Sequence, residues 1–248
     1  MFGRIDPALG SLASKEPMNQ SKSSQHGRPA FLFDLDGTLI DSVYEHTLAW
    51  REALEKMGIE LPAASIHRRI GMSGGLLVRA FEREAGVKFS SAQVERMHGL
   101  HSAAYKKRSQ QVRPLPGARD LLRELSRVHV PWAIATSGKL KDAKPSLAML
   151  KLSAKVPIIT RDDVEHAKPE PDLFLAAAAK LGVEMPHCVV VGDSVWDLLA
   201  AQRAHALGVG LLSGGFGENE LERAGAYRVY RDPADLLAHL DEVGVRGE

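Results

Sequence analysis

Two aspartates that stand two residues apart carry the strongest chemical signal in this sequence. Asp34 and Asp36 belong to the segment Asp-Leu-Asp-Gly-Thr, which directly follows the apolar run 30–33. Side chains two residues apart in a strand point to the same face, so both carboxylates can face one cleft. Because neighbouring buried carboxylates repel each other, they need a cation or a shared proton. The pair therefore predicts a hard-cation site with one aspartate as nucleophile or, on the plainer alternative, a polar turn.

Two further segments offer groups that suit a phosphate. Thr136 ends an apolar run and is followed by Ser137 and Gly138. A hydroxyl and free backbone N–H groups in such a turn can hold phosphate oxygens. Lys168 lies in the segment Ala-Lys-Pro-Glu-Pro-Asp, whose prolines would position its amine. Taken alone, the first segment is also typical of an ordinary loop, and the second favours a lysine that faces solvent.

A third carboxylate follows a later apolar run. Asp193 comes directly after the run 188–192, and Asp197 stands four residues further on. Mg²⁺ favours octahedral oxygen ligation with few protein carboxylates, which these aspartates would supply. Asp197 has an alternative role, because Ser194 and Asp197 have the spacing of a helix capping box.

Short apolar runs separated by amphipathic stretches must position these groups. The predicted strands lie at 30–34, 132–136, 156–160, 188–192, 209–212 and 227–230. The predicted helices between and after them lie at 118–128, 172–181, 194–206 and 233–243. Strands that alternate with helices of this length favour βαβ units. The fold class is therefore predicted as α/β, with a Rossmann-like, mostly parallel sheet flanked by helices.

One segment interrupts this alternation with helical patterns alone. Ser42 and Glu45 have capping-box spacing, an amphipathic stretch follows them, and Gly58 is a natural stop. Further helices are predicted at 74–85 and 91–109. The segment therefore predicts an all-helical domain inserted after the first strand.

The predicted domain boundaries follow from this insertion. The helical domain spans 43–113, and the α/β core consists of 29–42 and 114–248. Ser42 and Arg113 lie near the two crossings between the domains and are candidate hinges.

Composition narrows the class of protein further. The chain has 248 residues, a net charge of +1, 44% hydrophobic and 25% charged residues, as in soluble globular proteins. The near-neutral net charge gives no electrostatic reason to expect nucleic acid as the main partner. No apolar run approaches the ~18–20 residues that span a membrane. A single cysteine, Cys188, excludes a disulfide framework and a cysteine zinc site, and it fits the cytoplasm. The polar residues 1–28 predict a disordered extension.

The order Asp-x-Asp, Thr, Lys, Asp-x3-Asp resembles the four motifs of the haloacid dehalogenase-like hydrolase superfamily. The resemblance covers residues 29–243, and the helical insertion resembles the cap domain of that family. Together with the segments KPEPD and GDSVWD, it points to the branch of phosphoglycolate phosphatase-like enzymes, small sugar phosphatases and β-phosphoglucomutase. A mostly parallel core with a helical cap is the fold that this resemblance implies.

The resemblance implies a role for each core motif. Asp34 would be the nucleophile that forms an aspartyl-phosphate, and Asp36 the general acid and base. Mg²⁺ would be held by the Asp34 carboxylate, the Asp36 main-chain carbonyl and the Asp193 carboxylate. Asp197, with Ser194 beside it, would orient the motif lysine or a metal-bound water.

The phosphoryl group would be bound by the remaining motifs. Thr136 and Lys168 would contact its oxygens, with help from Ser137 and Gly138. The substrate would be selected by the cap, whose candidate residues are His46, Arg68, Arg69, Ser73, Gly74 and His101.

The leading function is a Mg²⁺-dependent phosphatase for a sugar phosphate or a phosphoglycolate-like acid. The alternative is a β-phosphoglucomutase-like mutase, since His46 and Trp50 match that enzyme. However, Gly74 stands where the mutase has an arginine for the second phosphate. A non-catalytic phosphate-binding protein is the third hypothesis. The expected partner is a small phosphorylated metabolite, and the expected assembly is a monomer or a homodimer.

Overall fold

The computed structural model describes residues 29–245. The predicted disordered extension, 1–28, lies outside the described residues. None of the helices within 29–245 is both long enough and apolar enough to traverse a lipid bilayer.

A parallel sheet forms the centre of the molecule. Its strands are β1 (Ala30–Phe33), β4 (Trp132–Ala135), β5 (Ile158–Ile159), β6 (Cys188–Gly192), β7 (Leu207–Leu211) and β8 (Ala226–Tyr230). Within the described residues the sheet has six strands in the order β5-β4-β1-β6-β7-β8, and every neighbouring pair is parallel. All of the predicted apolar runs overlap these strands, so the predicted fold class is confirmed.

Strand β1 lies in the middle of the sheet and is buried on both faces. Phe31 and Phe33 share one apolar cluster with Leu121 and other residues that follow the cap. Leu32 shares the opposite cluster with Phe174. Because alternate side chains point to opposite faces, helices on both sides of the sheet can cover a continuously apolar strand.

Helices lie on both sides of this sheet. They are α5 (Ala118–Arg127), α6 (Leu140–Met149), α7 (Asp172–Leu181), α8 (Val195–Arg203), α9 (Glu218–Arg223) and α10 (Pro233–Ala238). Sequence patterns did not predict α6 or α9. Helix α6 contains Pro145, which is unfavourable in a helix interior and hides the helical signal.

The segment predicted as an insertion is helical in the structure. Its helices are α1 (Val43–Glu55), α2 (Ala63–His67), α3 (Gly74–Ala85) and α4 (Ser91–Arg108). They enclose an apolar cluster that contains Trp50, Leu54, Phe81 and Met97. The domain boundaries at 43 and 113 stay a prediction.

A short antiparallel pair joins the chain where it enters and leaves these helices. Strand β2 (Ile40–Asp41) pairs with β3 (Arg113–Pro114), and Asp41 lies opposite Arg113. The two crossings are therefore held side by side, so the helical layer is placed over the carboxyl ends of the core strands.

Candidate active site

The central parallel strands bring the predicted motifs to one edge of the sheet. Asp34 follows β1, Thr136 follows β4 and Asp193 follows β6. Since β1 lies between β4 and β6, their carboxyl ends are neighbours. Ligands bind beyond this edge in open α/β sheets.

Lys168 lies fully buried between two carboxylates. Its Nζ atom forms an ion pair with Asp34 Oδ1 and lies 2.8 Å from Asp197 Oδ1. Burial acts to lower the pKa of Lys168, but Asp197 and Asp34 outweigh it and raise that pKa above its ordinary value. The ammonium group is therefore held in its charged form.

Asp197 is fixed by the start of helix α8. Its Oδ2 atom accepts hydrogen bonds from the backbone N–H of Ser194 at 3.1 Å and from Ser194 Oγ at 2.6 Å. The capping-box interpretation of Ser194 and Asp197 is confirmed. The same carboxylate also contacts Lys168, so the two interpretations of Asp197 are compatible.

Three buried carboxylates form an acidic cluster beside the lysine. Ligand oxygens of Asp34, Asp193 and Asp197 all lie within 4.8 Å of one another. Burial raises the pKa of Asp34 to about 7 even though Lys168 opposes the shift. Burial also raises the pKa of Asp193 well above its ordinary value. The cluster is short of positive charge, as expected of a site that can hold a cation.

Oxygen atoms for a cation come most directly from Asp34 and Asp193. Asp197 already contacts Lys168 and Ser194, whereas Asp193 Oδ1 accepts one hydrogen bond, from Thr38 Oγ1 at 2.9 Å. The backbone packs tightly around this carboxylate, because a Cβ atom at Gly214 would overlap Asp193. Hard carboxylate oxygens in a closely packed site suit a small divalent ion.

Asp36 lines the same cavity as Asp34 and is held by two side chains at the start of helix α1. Its Oδ1 atom accepts a hydrogen bond from Ser42 Oγ at 2.6 Å and lies 3.4 Å from His46 Nε2. Burial acts to raise the pKa of Asp36, but His46 and the hydrogen bonds from His46 and Ser42 hold it below its ordinary value. Both contacts are to Oδ1, which leaves Oδ2 as the oxygen available to a reacting group.

The predicted capping box of Ser42 and Glu45 is wrong. Ser42 is the N-cap residue of α1 but makes no side-chain cap hydrogen bond. Its hydroxyl donates to Asp36 instead, and this charge-assisted hydrogen bond orients the Ser42 side chain toward the carboxylate. Ser42 thus belongs to the site, and the capping pattern had hidden it.

The turn after β4 presents hydroxyl groups toward the same place. Thr136 Oγ1 accepts the backbone N–H of Gly138 at 3.1 Å, which leaves the hydroxyl proton of Thr136 free to donate. Ser137 Oγ donates to the carbonyl of Gly71 at 3.1 Å. Ser137 therefore connects the core turn to the helical layer.

A small cavity of about 140 Å³ lies between the core and the helical layer. The core side is formed by Asp34, Asp36, Thr136, Ser137 and Gly138. The other side is formed by His46, Trp50, Ile70, Gly71, Met72, Gly74, Leu77 and His101. The arrangement can place a phosphate against Asp34 and the attached group among imidazole, indole and aliphatic side chains.

A family model for haloacid dehalogenase-like hydrolases matches residues 29–205. The chain belongs to this family. The match confirms the predicted family and the prediction that the protein is a hydrolase.

Individual haloacid dehalogenase-like proteins resemble this chain along most of its length. Hexitol phosphatase A of Escherichia coli (strain K12) is 32% identical over 176 residues, which is 70% of this chain and 78% of that protein. Beta-phosphoglucomutase of Bacillus subtilis (strain 168) is 28% identical over 217 residues, or 85% of this chain and 92% of that protein. A crystal structure of a hydrolase from Pseudomonas syringae is 52% identical, with a TM-score of 0.86, and covers 88% of this chain and 100% of that one.

The cap of this haloacid dehalogenase-like hydrolase is seated on the core. The backbone N–H of Ser73 donates to the carbonyl of Lys168 at 2.9 Å. Trp196 Nε1 donates to the carbonyl of Arg68 at 3.1 Å, and His67 Nε2 lies 2.7 Å from the carbonyl oxygen of Gly214. These contacts hold the cap against the core.

Some of the predicted cap residues lie away from the cavity. The Arg69 guanidinium contacts the carbonyl of Ser65 and lies 2.6 Å from Glu84, beside a separate surface cavity of about 490 Å³. Arg68 pairs with Glu220 at 2.9 Å. Ser73 Oγ accepts the backbone N–H of Leu76 as the cap of helix α3. The structure therefore does not bring these side chains to the cavity, whereas His46, Gly74 and His101 do line it.

Proposed function

We propose that this hydrolase is a Mg²⁺-dependent phosphatase that cleaves small phosphorylated metabolites through an aspartyl-phosphate on Asp34. The observation that carries the proposal is the set of groups around Asp34: the buried Lys168 ammonium pairs with it, an oxygen of Asp193 lies within 4.8 Å of it, and Asp36 lines the same cavity. A nucleophile, a charged amine and a proton-transfer group then surround a single phosphate position.

The residues present fit a magnesium ion. Asp34 and Asp193 supply carboxylate oxygens, and the main-chain carbonyl of Asp36 is the third ligand that we propose. Without a cation, the pKa values of both carboxyls are raised, so a dication would favour the ionised forms. When bound, Mg²⁺ would supply positive charge that offsets the repulsion between the carboxylates and the phosphate.

The first step transfers the phosphoryl group to the enzyme. An Asp34 carboxylate oxygen forms a bond to phosphorus while the bond from phosphorus to the substrate alcohol breaks. Thr136 and Lys168 bind the phosphoryl oxygens, with backbone N–H support from Ser137. A substrate phosphate beside Asp36 opposes the ionised form of this carboxyl, so Asp36 takes up a proton on Oδ2 when substrate binds and gives that proton to the leaving alcohol.

The second step returns the enzyme to its starting state. Asp36, now a carboxylate, takes a proton from water as the water oxygen bonds to phosphorus and the bond from phosphorus to Asp34 breaks. The hydrogen bonds from Ser42 and His46 favour this ionised form of Asp36. Asp197 and Ser194 hold Lys168 in place through both steps.

A mutase is the second candidate. It is favoured by the beta-phosphoglucomutase relative and by the presence of His46 and Trp50 in the cavity. A mutase must also hold a second phosphate, and Gly74 offers no charge for it. A non-catalytic phosphate-binding protein is the third candidate. Binding alone would not need a proton-transfer group such as Asp36 beside the nucleophile Asp34.

Phosphate release from a panel of phosphomonoesters, with and without Mg²⁺, tests the proposal. We expect Mg²⁺-dependent release by the wild type, none by Asp34→Asn, and normal release by the surface control Asp120→Asn. Conversion of β-glucose 1-phosphate to glucose 6-phosphate in the presence of glucose 1,6-bisphosphate would favour the mutase. No turnover in either assay by folded protein would leave only the binding role.

The compartment, the assembly and the partner of the enzyme are also proposals. We expect it to act in the cytoplasm, as a monomer or a homodimer, on a small phosphorylated metabolite. Size-exclusion chromatography with light scattering distinguishes the two assemblies.

A further inference from the structure

A second and larger cavity lies outside the active site, where the cap meets the core. Its volume is about 490 Å³, compared with about 140 Å³ for the active-site cavity. Cavities of roughly 300–1,000 Å³ are typical of small-molecule sites. The cap contributes side chains from α2, from α3 and from the loop between them, and the core contributes one side chain from α8. We call it the outer cavity, and its lining includes Arg68, Arg69, Met72, Ala80, Arg83 and Trp196.

The charged side chains that line the outer cavity are all positive. They are Arg68, Arg69 and Arg83, and no acidic side chain of the described residues lines it. Arginine stays protonated at any physiological pH, so these charges do not depend on the ionisation of a neighbouring group. The outer cavity therefore favours an anionic ligand.

The three guanidinium groups are not equally engaged by the protein. Arg68 Nη1 lies 2.9 Å from Glu220 Oε1, and Arg69 Nη2 lies 2.6 Å from Glu84 Oε2. Arg83 is exposed and forms no ion pair within residues 29–245. Because a guanidinium has five N–H donors, the two paired arginines keep donors for a ligand. Arg83 adds a cation that lacks a counter-ion in this part of the chain.

An apolar wall accompanies these charges. Trp196 is half-buried, and its Nε1 atom donates to the carbonyl of Arg68 at 3.1 Å, which fixes the orientation of the indole ring. Met72 and Ala80 add aliphatic surface. A flat ring can bury its faces against an indole, while an anionic group binds guanidinium N–H donors. The combination suits a ligand that carries both.

The outer cavity shares a wall with the active site. Met72 lines both cavities, and it belongs to the loop that joins α2 to α3. The next residue in this loop is bound to the core, because the Ser73 backbone N–H donates to the carbonyl of Lys168 at 2.9 Å. A ligand that contacts Met72 and Trp196 together touches the cap and the core. Such a ligand stabilises the arrangement in which the two are docked.

We propose that the outer cavity binds an aromatic anion, and that the bound ligand holds the cap on the core. Its anionic group contacts Arg83 and the remaining N–H donors of Arg69, and its ring packs against Trp196. The outer cavity is separate from the phosphate position beside Asp34. The inference therefore goes beyond the proposed phosphatase function and does not depend on it.

Naphthalene-1-sulfonate is a suitable probe, because it is an aromatic anion without a phosphate ester to hydrolyse. Calorimetric titration into the full-length protein measures its Kd. We expect saturable binding, with a Kd at least about tenfold below those of methanesulfonate, which lacks the ring, and 1-naphthalenemethanol, which lacks the charge. No saturable binding below about 10 mM would overturn the proposal. Equal binding of either comparison compound would refute the joint recognition of ring and charge.

The variant Arg83→Gln places the ligand. Its side chain makes no ion pair within residues 29–245, so the substitution removes a charge and leaves the fold intact. We expect the Kd of naphthalene-1-sulfonate to rise by about threefold to tenfold. The control is Arg79→Gln, because Arg79 is exposed on the same helix and does not line the outer cavity. An unchanged Kd in Arg83→Gln, or an equal rise in both variants, would overturn the assignment of the site.

Hydrogen exchange at the Ser73 backbone N–H tests the effect on the cap, since this group binds the carbonyl of Lys168 only when cap and core are docked. We expect exchange to slow by at least about threefold with saturating naphthalene-1-sulfonate and to stay unchanged with methanesulfonate at the same concentration. Unchanged exchange with the probe bound would refute the effect on the cap. None of these measurements needs turnover, so a failure of the phosphatase proposal would leave them interpretable.

Discussion

Lys168 Nζ lies 2.8 Å from Asp197 Oδ1, and neither side chain is exposed to solvent. The same ammonium group also pairs with Asp34, so one buried cation neutralises two buried carboxylates. A pair of this kind is expensive to break, because the remaining charges stay buried without a partner.

Replacement of Lys168 by methionine is expected to destabilise the protein strongly. Methionine has similar length but no charge, and it leaves Asp34 and Asp197 uncompensated. We expect the free energy of unfolding in urea to fall by about 3–5 kcal/mol. The exposed control Lys180→Met should cost less than about 0.5 kcal/mol. A loss of similar size in both variants would show that the buried ion pair does not stabilise the fold.

Magnesium binding is expected to release protons near neutral pH. The pKa of Asp34 is raised from 3.8 to about 7, so the folded metal-free protein holds a proton that the unfolded chain has already lost. The stability of the metal-free protein should therefore fall as pH rises toward 7, and the apparent Mg²⁺ affinity should rise. Calorimetric titration in two buffers of different ionisation enthalpy measures the released protons. An unchanged affinity between about pH 6 and about pH 8 would contradict the linkage.

Ser42→Ala is expected to raise the pKa of Asp36. The substitution removes the 2.6 Å hydrogen bond to Asp36 Oδ1, one of the contacts that holds this pKa below its ordinary value. The acidic limb of the pH–kcat profile should move to higher pH, because Asp36 must be ionised to act as base. Ser42→Thr keeps the hydroxyl and should restore the wild-type limb. A uniform fall in kcat at every pH would instead indicate a hinge role for Ser42.

Gly74→Arg is expected to admit anionic leaving groups. Gly74 lines the cavity, and a Cβ atom there would lie 3.1 Å from His98 Cε1, so a side chain fits after a small shift of that ring. The ratio of kcat/KM for 6-phosphogluconate to that for sorbitol 6-phosphate should rise by at least about tenfold, equivalent to ~1.4 kcal/mol. The control Gly75→Arg carries the same charge at a neighbouring position that faces open space. An equal rise in both variants would assign the effect to general attraction of anions.

The sequence by itself determined the sheet and the core motifs. Apolar runs such as Ala30–Phe33 are short and bounded by polar turns, so periodicity and length identify them as buried strands. The motif aspartates directly follow these strands, and parallel strands must bring their carboxyl ends to one edge. The acidic cluster of Asp34, Asp193 and Asp197 could therefore be anticipated from local patterns alone.

Only the tertiary structure decided which groups surround that cluster. Ser42 and Asp36 are near in sequence, but only the turn between them aims the hydroxyl at the carboxylate instead of the helix end. His46 and His101 are 55 residues apart and meet only because α1 packs against α4. Arg69 is left out of the cavity because Glu84 on α3 binds its guanidinium. Local sequence patterns predict the structure of the backbone. The direction of a long polar side chain depends instead on which partner the packing of the helices brings within reach.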